Sequence, residues 1–389
     1  MYLFTSLKKA KMNLQRIKAT AKKESKHLFR DFRMLAVLLL FPVFLLIVFG
    51  YAINFDVKHI KVVVYDRDRS ELSREFVNSL TSSENFDLVG YIYKDSDIKN
   101  VLDEKKGQCV IVISEDFSQS VYSRKEAKIQ FLIDGVDGNT ATIIQNYINL
   151  ATLNFSSYVT SEIYSAYGVK SKPPLALEPI FWFNPELSST KFLLPGLIGM
   201  ILVIVAVVSV SISLVREKER GTIEQINVSP LNSAELLLGK VAPYIVLALF
   251  NASMIITMGY ILFGVEVKGS FLLLFISILI FLFAASSLGI LISVVSDSLQ
   301  VAFSIAVAAS LLPSVILSGF IFPIESMPSI IQLFSNITPV KFFIVILRAI
   351  ILRGVGIEAF WEQIIFLIIF SLIILSLANI INIRKEKST

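Results

Sequence analysis

The sequence predicts an α-helical polytopic membrane protein with six transmembrane helices and an inserted extracytoplasmic α/β domain. Three observations predict it. Of 389 residues, 54% are hydrophobic and only 17% charged, a balance typical of chains that live in lipid. Six apolar runs reach the length of a span, about 20 residues, because each adds ~1.5 Å to a helix and the hydrocarbon core is ~30 Å thick. Between the first and second runs lie about 140 residues whose apolar positions alternate between strand and helix periods.

Residues 1–33 carry ten Lys/Arg against two acids. From Leu7 to Phe32 the lysines are interleaved with Leu14, Ile17, Leu28 and Phe29, the pattern of a helix lying in the membrane interface. Residues 34–53 form the first span. No small-residue cleavage pattern follows it, so it reads as a retained anchor rather than a signal peptide. The basic cluster beside this span puts the N-terminus in the cytoplasm by the positive-inside rule. Alternating six spans returns the C-terminal tail, residues 384–389, to the same side. Arg216, Lys218 and Arg220, between the second and third spans, fall there too.

Residues 54–191 are then the extracytoplasmic domain and its linker. Strands are expected at Lys61–Tyr65, Phe86–Tyr93, Gln108–Ile113 and Lys128–Ile133, and helices at Ser70–Leu80, Asp95–Glu104 and Gly138–Tyr167. Pro173-Pro174 ends the last helix and opens a linker running through Trp182, Asn184 and Pro185. The single cysteine, Cys109, lies in an apolar strand and reads as a core residue. With only His27 and His59 in the chain, histidine metal sites and catalytic triads are nearly excluded. Asp66-Arg67-Asp68 and Asp134-Gly135-Val136-Asp137-Gly138-Asn139 follow apolar strands and read as turn and cap residues. The second does not have calcium-loop spacing, since Val136 and Gly138 occupy ligand positions.

Residues 192–383 supply the other five spans: Phe192–Val215, Leu236–Phe263, Phe271–Val295, Val301–Phe322 and Phe360–Ile383. Their centres carry no Asp, Glu, Lys, Arg or His, which disfavours an ion-coupled carrier. Asn251, Thr257, Ser304, Ser310, Ser314 and Asn379 read mostly as helix-packing groups. Pro42 and Pro313 are placed to kink their helices. The chain has no Gly-x-x-x-x-Gly-Lys-Ser/Thr phosphate loop, so ATP-driven work needs a separate ATP-binding subunit. Net charge of +5 is concentrated at the N-terminus and does not suggest nucleic-acid binding.

Two segments stand out. Residues 216–230 read Arg216-Glu217-Lys218-Glu219-Arg220-Gly221-Thr222-Ile223-Glu224-Gln225, then Ile226-Asn227-Val228-Ser229-Pro230. Glu219–Val228 has the length of about three helical turns, with Ile223 and Ile226 on one side and Ser229-Pro230 as a stop. A short amphipathic helix suits docking into a groove, or lying on headgroups. Residues 323–354 are broken by Pro323, Pro328 and Pro339 into pieces too short to cross. Such backbone is tolerated at membrane depth only when buried in protein or lining a cavity.

Together these segments carry a family resemblance. Arg30-Asp31, Phe41-Pro42, the Arg216–Gln225 stretch with Ser229-Pro230-Leu231 and Gly239-Lys240, Leu317-Ser318-Gly319-Phe320-Ile321-Phe322-Pro323-Ile324, Met327-Pro328, Pro339 and Leu347-Arg348 occur in an order that resembles permease subunits of ABC-2 type exporters across almost the whole chain. The resemblance implies that Arg216, Glu217, Glu219, Arg220, Gly221, Thr222, Ile223, Glu224 and Gln225 form a coupling segment docked on an ABC ATPase. It implies that Gly319, Phe320, Pro323, Met327, Pro328, Pro339 and Arg348 belong to a re-entrant outer gate. Two ATPase copies would hold ATP and Mg, while this chain binds no cofactor and has no ATPase site of its own. A second permease, identical or related, would complete a dimer in the cytoplasmic (inner) membrane of a prokaryote. An extracytoplasmic partner protein is a further expectation. The substrate class expected is hydrophobic or amphipathic: a drug, antibiotic or lipid. The alternatives are a membrane-anchored scaffold or secretion component without transport, and a sodium-extruding permease of the same family.

Overall fold

The computed structural model describes residues 13–52, 58–123, 125–166, 182–184, 188–221 and 232–388. The chain divides into two compact units, Met1–Asn54 with Phe181–Thr389, and Phe55–Ile180.

The larger unit is helical. Helix α1 (Leu14–Arg30) begins at Asn13, whose side chain accepts from Gln15 N, and helix α2 (Phe32–Ala52) follows after Asp31. Asp31 caps the second start by accepting from Met34 N at 3.1 Å.

The smaller unit is a four-stranded sheet in the order β2-β1-β3-β4, comprising β1 (Ile60–Asp66), β2 (Phe86–Tyr91), β3 (Cys109–Ile113) and β4 (Ile129–Ile133). Strand β1 runs parallel to β2 and β3, while β4 is antiparallel to β3. Side chains alternate between two covers, as the period of two requires. Val62, Val64, Cys109, Ile111 and Ile113 pack under α3 (Glu71–Thr81), α5 (Phe117–Tyr122) and α6 (Gly138–Ala166). Val63, Val110 and Val112 meet Val101 of α4 (Asp95–Asp103) on the other face. The strands and three longer helices match the expected order to within two residues at each end. Helix α5 was not legible, because six residues give too short a period.

Back in the larger unit, five long helices follow: α7 (Ser189–Glu219), α8 (Ser233–Phe263), α9 (Phe271–Val295), α10 (Leu299–Ile316) and, after the broken segment, α13 (Trp361–Ser388). With α2 they make, among the described residues, six helices long and apolar enough to cross a membrane. Helix α7 is the hub, with 89% of its apolar window buried, against 11% for α2 and for α13. This inverts the soluble-protein rule: the peripheral helices turn Val37, Leu40, Phe44, Ile369 and Leu372 outward, as lipid contact requires.

Two boundaries differ from expectation. Helix α7 continues one turn past the apolar run, through Arg216–Glu219, and stops where Gly221 takes φ +66°. Glu219, the first residue of the expected Glu219–Val228 helix, belongs to α7, and residues 222–228 lie outside the described residues. The apolar run Val301–Phe322 is helical only to Ile316, because Gly319 at φ +77° turns the chain back. Prolines 42 and 313 lie inside helices as read, and so do Pro195 and Pro243.

Candidate functional site

Two clusters of polar and glycine-dependent contacts mark opposite ends of α7. The first surrounds its C-terminal turn. Glu217 Oε1 lies 3.2 Å from Lys240 Nζ of α8 and 3.3 Å from Lys23 Nζ of α1. Lys240 is only 3% exposed and also donates to the Ser213 carbonyl at 3.3 Å. Glu24 of α1, 6% exposed, accepts from Ser213 Oγ at 2.7 Å and from the Tyr244 hydroxyl at 2.9 Å. Arg216 reaches back to Asp31 at 3.6 Å. Lys218 donates to the carbonyls of Ser293, Val294 and Ser296 at the end of α9. Three successive positions of the α7 exit, Arg216, Glu217 and Lys218, are thus divided among α1, the start of α2, α8 and α9. Buried charges persist only when paired and hydrogen-bonded, and these are.

Helix α1 is brought close enough by Gly239. A Cβ there would stand 2.6 Å from Thr20 Cβ and 3.0 Å from the Ile17 carbonyl, so only glycine permits the approach. The start of α8 is fastened in the same place. Glu235, fully buried, accepts from Asn232 N at 3.0 Å, closing a capping box, and from Asn13 N at 2.7 Å. Beyond it Lys385 of α13 meets Asp297 at 2.7 Å, which holds the Asp297 carboxyl below the usual range. The ends of α7, α9 and α13 and the starts of α2 and α8 therefore gather at one face of the bundle, as alternating spans require.

Of the segment expected to engage a partner, Arg216 and Glu217 are half-buried in this network, and Glu219, Arg220 and Gly221 are exposed. Thr222, Ile223, Glu224 and Gln225 lie outside the described residues, as do the Ser229-Pro230 stop and the Pro173-Pro174 linker. Sequence reasoning missed Glu24, Ser213 and Tyr244. A lone acid among the lysines of α1, four residues from both Thr20 and Leu28, was the available signal.

The second cluster surrounds the start of α7. The Arg348 guanidinium donates to the carbonyls of Gly319 (3.1 Å) and Phe192 (3.4 Å) and stands 4.1 Å from the Phe192 ring centroid. Phe320 is 1% exposed and sits on Gly196, where a Cβ would approach its ring to 2.3 Å. The broken segment then runs through a 3-10 turn at Ile324–Ser326, α11 (Ser329–Phe334), a second 3-10 turn, and α12 (Pro339–Leu347), which continues as a π-helix over Arg348–Arg353. Its two halves bend by 90°. Pro323 and Pro328 precede their helices, and Pro339 opens α12 at the first position, where the missing N–H costs nothing. Met327 offers its carbonyl to Gln332 at 2.9 Å. Helix α12 is core, with Phe343 stacked on Phe281 at 3.9 Å. Helix α11 leaves Ile330 and Leu333 exposed.

In the smaller unit the acidic runs are structural. Asp66 accepts from Ser73 Oγ (2.7 Å) and Arg69 N (2.9 Å), Asp68 from Ser118 Oγ (2.9 Å), and Asp134 from Val136 N (3.0 Å). Among the described residues no group of three or more His, Cys, Asp or Glu is placed to hold a metal.

Comparison with known proteins agrees with this geometry. The family described as ABC-2 family transporter protein matches residues 32–380. The chain is 30% identical over 346 residues to "Probable multidrug ABC transporter permease YbhS" of Escherichia coli, covering 88% of this chain and 90% of that one. It is 28% identical to "Probable multidrug ABC transporter permease YbhR" of the same organism, covering 88% and 91%. It is 29% identical to "Inner membrane transport permease YhhJ", covering 78% and 79%. The chain belongs to the ABC-2 transporter family.

Proposed function

We propose that this ABC-2 family member is the permease subunit of an ATP-driven exporter, working with a separate ATPase and moving a hydrophobic or amphipathic substrate. The observation that carries this reading is the built-in lever of α7. One continuous helix runs from the Arg348–Phe320 cluster to the exposed Glu219-Arg220-Gly221 exit, and its last buried turn is bonded to α1, α2, α8 and α9. A push on the exit is shared by the bundle and reaches the broken segment at the other end. The sequence has no Gly-x-x-x-x-Gly-Lys-Ser/Thr phosphate loop, which supports an energy source on a partner.

The ten Lys/Arg of residues 1–33 support a cytoplasmic location for the exit. Residues 216–230 then face an ATPase, with Arg220, Ile223 and Glu224 as its contact residues. Arg348, Gly319 and Phe320 brace the outer gate that Pro323–Gly354 forms. Two permeases, identical or related, would pair with two ATPases, which would hold ATP and Mg. The names of the relatives, multidrug permeases, support a drug-like substrate. Co-expression with an ATPase encoded beside the gene tests the pairing. The two proteins are expected to co-purify from membranes, with hydrolysis stimulated by amphipathic compounds. A permease that purifies alone while every neighbouring ATPase is accounted for elsewhere would contradict the reading and favour a scaffold.

A further inference from the structure

An apolar groove of about 490 Å³ runs between α1, α2 and α8. Its walls include Ser25 and Phe29 of α1, Leu35 and Leu39 of α2, and Val246 and Phe250 of α8. Phe29, Val246 and Phe250 are more than half exposed. The one hydroxyl there, Ser25 Oγ, is already spent on the Ala21 carbonyl of its own helix at 2.8 Å. The groove thus offers an occupant no hydrogen bond and considerable apolar surface. Hydrocarbon fits that chemistry, and a bilayer supplies it along the flanks of α2 and α8, both of which are long and apolar enough to span.

The exposed charged residues of α1, the helix that supplies Ala21, Ser25 and Phe29 to the groove, are basic. Lys18, Lys22, Lys26 and Arg30 follow one another at four-residue spacing and are all exposed. At ~100° per residue they form one stripe along α1. That stripe lies opposite Thr20, Glu24 and Leu28, the positions α1 buries. Glu24, the lone acid of the helix, is turned inward to Ser213 and Tyr244, so no carboxylate of α1 neutralises the stripe. The family match begins at residue 32, so α1 precedes it.

We propose that α1, α2 and α8 form a binding site for an anionic phospholipid. An acyl chain lies in the groove, and the lysine stripe holds the phosphate-bearing headgroup. Lysines near an anionic membrane surface each contribute about a fivefold preference, so the stripe selects headgroup charge while the groove selects only hydrocarbon.

The test uses the full chain in nanodiscs of mixed phosphatidylglycerol and phosphatidylcholine, with lipids retained on the purified protein counted by native mass spectrometry. The wild type is expected to retain phosphatidylglycerol at least fivefold over its share. K18Q/K22Q/K26Q is expected to bring that ratio near one without lowering the total lipid. V246W, which fills the groove, is expected to lower retained lipid of both kinds. An unchanged ratio in the triple variant would overturn headgroup recognition, and an unchanged lipid count in V246W would overturn the acyl site. Disulfide-linked copies formed through Val246→Cys in membranes would instead make the groove a protein interface. Raising salt on the unmodified chain gives an arm independent of folding. Near 1 M the screening length falls to about 3 Å and the preference should disappear; persistence there contradicts the proposal.

Discussion

Cys109 shows how burial decides the behaviour of a single side chain. It is fully buried beneath α3 and α6, and desolvation pushes its thiol up to about 12. At pH 8 the thiolate fraction is then on the order of one in ten thousand. A maleimide is expected to leave the folded protein unlabelled and to modify it only with unfolding, which mass spectrometry along a urea series would read. Labelling before the unfolding transition would contradict the assignment. The sign of the linkage follows: the raised thiol favours the fold below its ordinary value, and that contribution is lost as pH rises toward 12. Cysteine burial was legible from the apolar run Cys109–Ile113. Glu24 was not, because a carboxylate in a basic interfacial helix looks solvated until Ser213 and Tyr244 arrive from elements some 190 and 220 residues away.

At the scale of elements, the α7 exit depends on pairs between helices. Lys240 and Glu217 tie α8 to α7 with little exposure on either side, 3% and 14%. Removing Glu217 leaves the Lys240 charge buried without that carboxylate and costs about 3–5 kcal/mol. E217L is therefore expected to lower the thermal unfolding midpoint in detergent markedly, and E217L/K240M to recover much of the loss. A single variant with unchanged stability would show that the pair is not buried in the protein. The spans themselves were readable from length and hydropathy, and the strands from their alternation. What failed were the ends of helices. Hydropathy marks where apolar residues stop, whereas α7 ends at Glu219 and α10 at Ile316, each shortly before a glycine of positive φ, Gly221 and Gly319. The segment of residues 323–354 was legible as broken from its three prolines, but not its division into a buried α12 and an exposed α11, which depends on what α7 and α9 offer.

The whole molecule is an ABC-2 family member with six span-length helices among its described residues, and two clusters of polar contacts lie at the two ends of α7. That arrangement suits force entering at one end and acting at the other. The smaller unit has its own core and two-faced sheet, and Asp66 and Asp68 beside it are hydrogen-bonded to Ser73 and Ser118. The central claim is that ATP energy enters at the α7 exit. The direct measurement is ATP hydrolysis and substrate export by the reconstituted permease–ATPase complex carrying E219A/R220A, two exposed residues outside the buried network. The account predicts normal membrane insertion and stability, export reduced at least tenfold, and loss of substrate-stimulated hydrolysis. Wild-type export and stimulation in that variant would contradict it.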